Sequence, residues 1–188
     1  MKVVAFNGSP RPNGNTQQMI ETVFGVLREK GIGCERIDIA RKALRGCTGC
    51  FGCTKNGGRC VQNDDLNTWF DTACEADAIL VGSPTYFANV TAEAKAFLDR
   101  VGFLGRVTGK LIRKPMAGVV AVRRGGAVPT YDAILRMAQI NQMIMIGSTY
   151  WNFGLGLAKG ESLNDDEGMK NMQNLGENMA WLLKKLNK

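Results

Sequence analysis

Two hydrophobic rhythms alternate along the chain. Residues 2–7, 78–81 and 116–122 are short apolar runs, continuous enough for strands buried on both faces of a parallel sheet. Residues 15–30 instead place Met19, Ile20, Val23, Phe24 and Leu27 at helical spacing, and Gly31 and Gly33 stop that helix. A second strand is predicted at about 34–39, with Ile37 and Ile39 alternating. A helix opens near Asp64 and Asp65, which suit its positive N-terminal end. The loop at 83–88 leads into a helix ending around Phe103, and a further helix covers about 130–140. A fifth strand is expected at 143–146. The last helix, 167–186, turns Met172, Leu175, Met179, Leu182, Leu183 and Leu186 inward. Five strands with intervening helices predict an α/β fold, a doubly wound parallel sheet forming a single domain over residues 1–188. Sheets of this kind bind ligands beyond the carboxyl ends of their strands.

Composition narrows the setting. An apolar fraction of 45% and a charged fraction of 22% in 188 residues are those of a soluble globular chain. Met1 and Lys2 lead straight into the first strand, so no signal peptide is expected, and no apolar stretch has membrane-spanning length. A cytoplasmic location follows as the expectation, and there six cysteines argue for metal or redox chemistry over disulfides. The net charge of +7 comes from scattered lysines and arginines with no basic tract, so a nucleic-acid partner is not expected. A phosphorylated cofactor or an acidic redox partner would suit such a surface.

Four of the cysteines, Cys47, Cys50, Cys53 and Cys60, form a Cys-x2-Cys-x2-Cys-x6-Cys series in a chain without histidine. Three thiolates on one tight turn and a fourth a short loop away can ligate an iron–sulfur cluster. Zinc competes, though its structural sites more often pair two separated hooks or use histidine, and ordinary free thiols remain the bland reading. Arg45 and Arg59 flank the motif and are expected to raise a cluster's potential. Cys34 and Cys74 lie outside it and are expected to be buried as small hydrophobes.

Three loops at predicted strand ends are candidates for a cofactor crevice. Gly8 to Thr16 offers small polar residues at a helix N-terminus and Arg11 as a charged donor; it suits one terminal phosphate, although Asn15 and Thr16 are also good helix caps. It has neither a P-loop ending nor a dinucleotide fingerprint. Gly82 to Asn89 carries aromatics that can flank a flat ring or simply cap the core. Arg123 to Ala127 contains two glycines that permit close backbone approach. Gly154-x-Gly156 with Gly160 lacks the context of a dinucleotide site, and Asp165-Asp166-Glu167 reads as a solvated helix start.

Taken together, GSPRPNGNT, GSPTYF, VRRGGA and GSTYWNFGLG resemble the NAD(P)H-dependent FMN reductase superfamily, and the cysteine series resembles that of its iron–sulfur flavoproteins. The resemblance spans the whole chain. It implies a flavodoxin-like fold binding FMN, a [4Fe–4S] cluster on the cysteine-rich loop at about 46–63, and a homodimer or homotetramer. By position, Ser9, Arg11, Asn15 and Thr16 would hold the FMN phosphate. Pro84, Thr85, Tyr86, Phe87, Gly125 and Gly126 would line the isoalloxazine, and Tyr150-Trp151-Asn152 would lie near the flavin or a subunit contact. Cys47, Cys50, Cys53 and Cys60 would ligate the cluster. The implied activity is an oxidoreductase whose chemistry is carried by FMN, without a catalytic acid or base from the protein. It would pass electrons from a ferredoxin-like or NAD(P)H donor to a small-molecule acceptor. Two alternatives stay open: a cluster-free NAD(P)H-dependent FMN or quinone reductase, and a non-enzymatic flavin or thiol redox sensor.

Overall fold

The computed structural model describes residues 1–186. Its strands β1 (Lys2–Asn7), β2 (Gly33–Asp38), β3 (Ala78–Pro84), β4 (Pro115–Val122) and β5 (Ile144–Met145) lie in the order β2-β1-β3-β4-β5, all parallel. The side-chain period of two sorts each strand between two hydrophobic layers. Val3 and Ala5 face one layer, where α1 (Asn15–Glu29) packs on α6 (Asp166–Leu186); Val4 and Phe6 face the other. That second layer holds α3 (Leu66–Glu75), α4 (Ala92–Thr108) and α5 (Ala127–Ile140). Helices on both faces explain why β4 is buried at every position and reads as an unbroken apolar run. A four-residue helix, α2 (Gly52–Lys55), falls within the cysteine loop.

Strand order reverses at β1, which sends its connection to β2 on one side and pairs with β3 on the other. This is the switch point at which an open α/β sheet leaves a crevice.

The fifth strand departs from expectation. In place of one strand at 143–146, Ile144–Met145 pairs with the start of β4, and the chain then leaves the sheet. It returns as β6 (Phe153–Leu155), parallel to Val120–Val122. The excursion between them is secured by Asn152, fully buried, which accepts from the Ser148 hydroxyl at 2.7 Å and donates to the Tyr131 phenol at 3.1 Å. Gly154 permits the return, since a Cβ there would lie 2.7 Å from the Met19 sulfur of α1. The excursion leaves Tyr150 and Trp151 about half exposed at the carboxyl end of the sheet.

Candidate functional site

The crevice at the switch point is assembled mainly by backbone. Gly8 donates its N–H to Gly82 O at 2.8 Å and accepts the Thr91 hydroxyl at 2.7 Å, which locks the loop after β1 against the loop after β3. A Cβ on Gly8 would stand 2.7 Å from the Ala94 Cβ, so only glycine allows this approach. Asn7 accepts from the Ser9 N–H at 3.1 Å and donates to Asp38 at 2.8 Å, tying the loop to the end of β2. Burial pushes the Asp38 carboxyl up, but the hydrogen bonds from Arg36 and Asn7 outweigh it and hold that group below the usual carboxylate range. After this loop α1 begins at Asn15, with Gly14 at its N-cap, no side-chain cap and no acidic residue in its first turn. Its positive end is therefore left available to an anion.

Seven of the ten predicted flavin-site residues line one cavity of about 260 Å³: Ser9, Arg11, Asn15, Thr16, Pro84, Thr85 and Tyr86. Two of them, Thr16 and Thr85, have buried hydroxyls with no hydrogen-bond partner in the protein. A buried hydroxyl without a partner is costly, and a bound polar ligand would satisfy both.

The other three lie around it. Phe87 and Ala88 form the corners of a tight turn, with φ of +49° and +57°, closed by paired bonds between Tyr86 and Asn89 at 2.8 and 3.0 Å. Positive φ at both corners is the type I′ geometry, unusual for phenylalanine. It throws the Phe87 ring fully into solvent, beyond the crevice wall. Gly126, at φ +88°, packs behind Thr85; a Cβ there would meet Ala88 Cα at 2.9 Å. Gly125 is exposed beside it.

Sequence reasoning missed the opposite wall. Gly156 and Leu157 form it, and Ala121 with Arg123, the latter from the third expected cofactor loop, completes the lining. The segment after β6 is held by Arg11 and Asn15 from the start of the chain and by its own Glu161. Asn15 donates to Ala158 O at 3.0 Å and accepts from Gly160 N at 2.9 Å, and Arg11 donates to Leu157 O at 3.0 Å. Glu161 accepts from Leu157 and Ala158 N–H groups, which hold its carboxyl below the usual range. The signal was the glycine-rich stretch Gly154 to Gly160, set aside because it fits no dinucleotide pattern. Beside this wall a second cavity of about 350 Å³ is lined by Arg124, Gly126, Tyr150, Trp151, Phe153 and Leu155, among others.

The cysteine loop is different in kind. Gly49, Phe51, Gly57 and Gly58 all have positive φ, so it coils tightly, and Cys47, Cys50, Cys53 and Cys60 line one cavity of about 170 Å³ with Phe51, Val61 and Phe103. Cys47 and Cys50 are exposed, while Cys53 and Cys60 are half-buried against the core. The Gly52 N–H, helped by the Thr48 hydroxyl, holds the Cys50 thiol below its ordinary range; burial pushes Cys53 up. Among the described residues no group of three or more His, Cys, Asp or Glu is gathered around a single-ion site. Cys34 and Cys74 are half-buried, and burial raises both thiols.

The expected role of Arg59 is not what the geometry offers. Its guanidinium is exposed and lies against the Asp71 carboxylate at 3.0 and 3.1 Å. Arg45 is exposed, and its carbonyl accepts from Arg100 at 3.0 Å. The guanidinium that reaches a cysteine is Arg100 of α4, 3.1 Å from Cys60 Sγ. No spacing rule joins Arg100 to a motif forty residues earlier.

Comparison with known proteins bears on the family and the fold. The family described as NADPH-dependent FMN reductase matches residues 1–158. An iron–sulfur flavoprotein of Methanocaldococcus jannaschii is 38% identical over 196 residues, covering all of both chains. Among solved structures, RosB with a bound 8-demethyl-8-formylriboflavin-5'-phosphate intermediate superposes with a TM-score of 0.81 at 16% identity, over 100% of this chain and 80% of RosB. A flavodoxin, WrbA-like protein from Agrobacterium tumefaciens gives 0.67 at 18% identity, over 98% and 97% of the two chains. Both share the doubly wound fold.

Proposed function

The chain belongs to the NADPH-dependent FMN reductase family, an FMN-dependent oxidoreductase, and from that premise we propose that it is a two-cofactor electron carrier holding FMN and a [4Fe–4S] cluster. One observation carries the reading: the same chain has a crevice with two orphaned hydroxyls at an uncapped helix N-terminus and four thiols around one separate cavity. The name of the 38%-identical relative supports the cluster, and the all-cysteine donor set suits it better than a hard cation.

When bound, FMN supplies two-electron hydride chemistry with single-electron release, and the cluster supplies one-electron transfer. The chain's own residues do the positioning. The α1 N-terminus, Ser9, Arg11, Asn15 and Thr16 would hold the phosphate, with Arg123, just past β4, lining the same cavity. Pro84, Thr85 and Tyr86 would wall the flavin ring, Phe87 would extend that wall outward, and Gly125 and Gly126 would lie beside it, Gly126 packed behind Thr85. Asn15 and Glu161 hold residues 157–160 as the far side of the crevice. Cys47, Cys50, Cys53 and Cys60 hold the cluster.

A ferredoxin-like carrier or NAD(P)H serves as donor and a small molecule as acceptor. The exposed rings of Phe87, Tyr150 and Trp151 around the crevice mouth suit coverage by a partner subunit, in a homodimer or homotetramer. Among the described residues no helix is long and apolar enough to cross a membrane.

Anaerobic purification with flavin, iron and sulfide counted per chain tests the proposal. One FMN with about four irons and about four sulfides is the expected result. Flavin without iron would select the cluster-free reductase, with the four cysteines left as thiols.

A further inference from the structure

Arg100 buries its whole side chain, 1% exposed, beside the cysteine loop. It forms a fork with Asp64, Nη1 to Oδ2 at 2.6 Å and Nη2 to Oδ1 at 3.0 Å. The same guanidinium donates to Arg45 O at 3.0 Å and to Cys60 Sγ at 3.1 Å. The Cys60 backbone is gripped as well, for its N–H donates to the Asn67 side chain and its carbonyl accepts from it, both at 2.9 Å. Cys60 is thus fixed from α3 and α4, while Cys47 and Cys50 stand exposed on the coil. A neutral thiol is a weak acceptor. A thiolate accepting from a guanidinium makes the stronger, charge-assisted bond.

We propose that Arg100 is a positioning residue for the cluster: it presets Cys60 as a ligand and raises the cluster's reduction potential through its bond to that sulfur. This inference rests on the two-cofactor reading. Reduction moves one electron from a donor to the cluster, with no bond made or broken, and adds one negative charge to a site already ligated by thiolates. A hydrogen bond to a ligand sulfur favours the more negative state. Asp64 neutralises the arginine at longer range, so the effect is confined to the sulfur contact itself.

The test is a potentiometric titration, read by electron paramagnetic resonance for the cluster and by absorbance for the flavin, on anaerobically purified FMN-loaded protein. Wild type is compared with Arg100→Lys and with the double variant Arg100→Met/Asp64→Leu, which removes both buried charges and leaves neither stranded. In the double variant the cluster's reduction equilibrium constant should fall about tenfold, or about 59 mV for one electron. The flavin potential in the same sample should not move. Arg100→Lys keeps a cation but loses the fork and should show a smaller fall; it supplies the measurement if the double variant folds without iron. An unchanged cluster potential in iron-replete variants overturns the proposal, as does an equal shift of both cofactors, which would mean general loosening. Iron-free wild type would instead overturn the two-cofactor reading itself, and this proposal with it.

Discussion

Around the crevice, position is set by main-chain geometry. Gly8 is pinned through both its N–H and its carbonyl, and the loops that meet there are the ends of buried strands. Residues 46–63 contain only one short helix, and contacts through side chains join them to the sheet layers. These include the Arg100 guanidinium on Cys60 Sγ, the Asn67 amide on Cys60, and the edge contact of Phe51 on Phe103 at 5.7 Å. The first site belongs to the fold, as the switch point of any such sheet would. The second is an addition fastened to α3 and α4. The two sites should therefore fail separately, with flavin and iron lost by different substitutions.

The largest separation is expected at the buried ion pair. Asp64→Ala strands the Arg100 charge and should cost about 3–5 kcal/mol in urea unfolding. Below the unfolding transition it should strip iron while leaving flavin bound. On the other side of the comparison, Gly126→Val forces a branched residue into φ +88° against Ala88 and Thr85. Strain of about 1–3 kcal/mol should weaken FMN binding by roughly tenfold to a hundredfold in fluorescence titrations, with the iron count unchanged.

A finer test concerns the orphaned hydroxyls. Thr16→Val and Thr85→Val remove groups that have no partner in the protein. Each should weaken FMN binding by about 1 kcal/mol while leaving the apo-protein as stable or more so, because a buried hydroxyl without a partner is itself a cost. Loss of apo stability without loss of affinity would mean that these threonines serve the core.

The smallest effect is in pH. The Asp38 pKa is lowered in the folded protein, so its contribution is complete above the unfolded value of about 3.9 and is lost as pH falls through the lower folded value. The difference in thermal midpoint between apo wild type and Asp38→Asn should be constant from neutral pH down to about 5 and vanish only in stronger acid.

Much of the fold was legible because burial on both faces leaves an unmistakable mark: β1, β3 and β4 are apolar runs, and α1 and α6 carry helical stripes. The loop after β1 was legible as part of a crevice for a related reason, since only small residues fit where two strand ends meet a helix. What escaped was tertiary. The split of the fifth strand depends on Asn152 reaching Tyr131 and on Gly154 lying against Met19, contacts with no local signature. The wall at 156–160 is held by Arg11 and Asn15 from far along the chain. Arg100 sits on a buried face of α4, where a charge in sequence reads as surface until Asp64 and Cys60 are seen around it. Arg59, adjacent in sequence to Cys60, turns instead to Asp71.

The central claim is that one chain carries a two-electron and a one-electron centre, and counting electrons tests it most directly. Stoichiometric dithionite titration of anaerobically purified protein should consume about three electron equivalents per chain, with bleaching of both flavin and iron–sulfur absorbance. Saturation at about two, with flavin bleaching alone, would contradict the account.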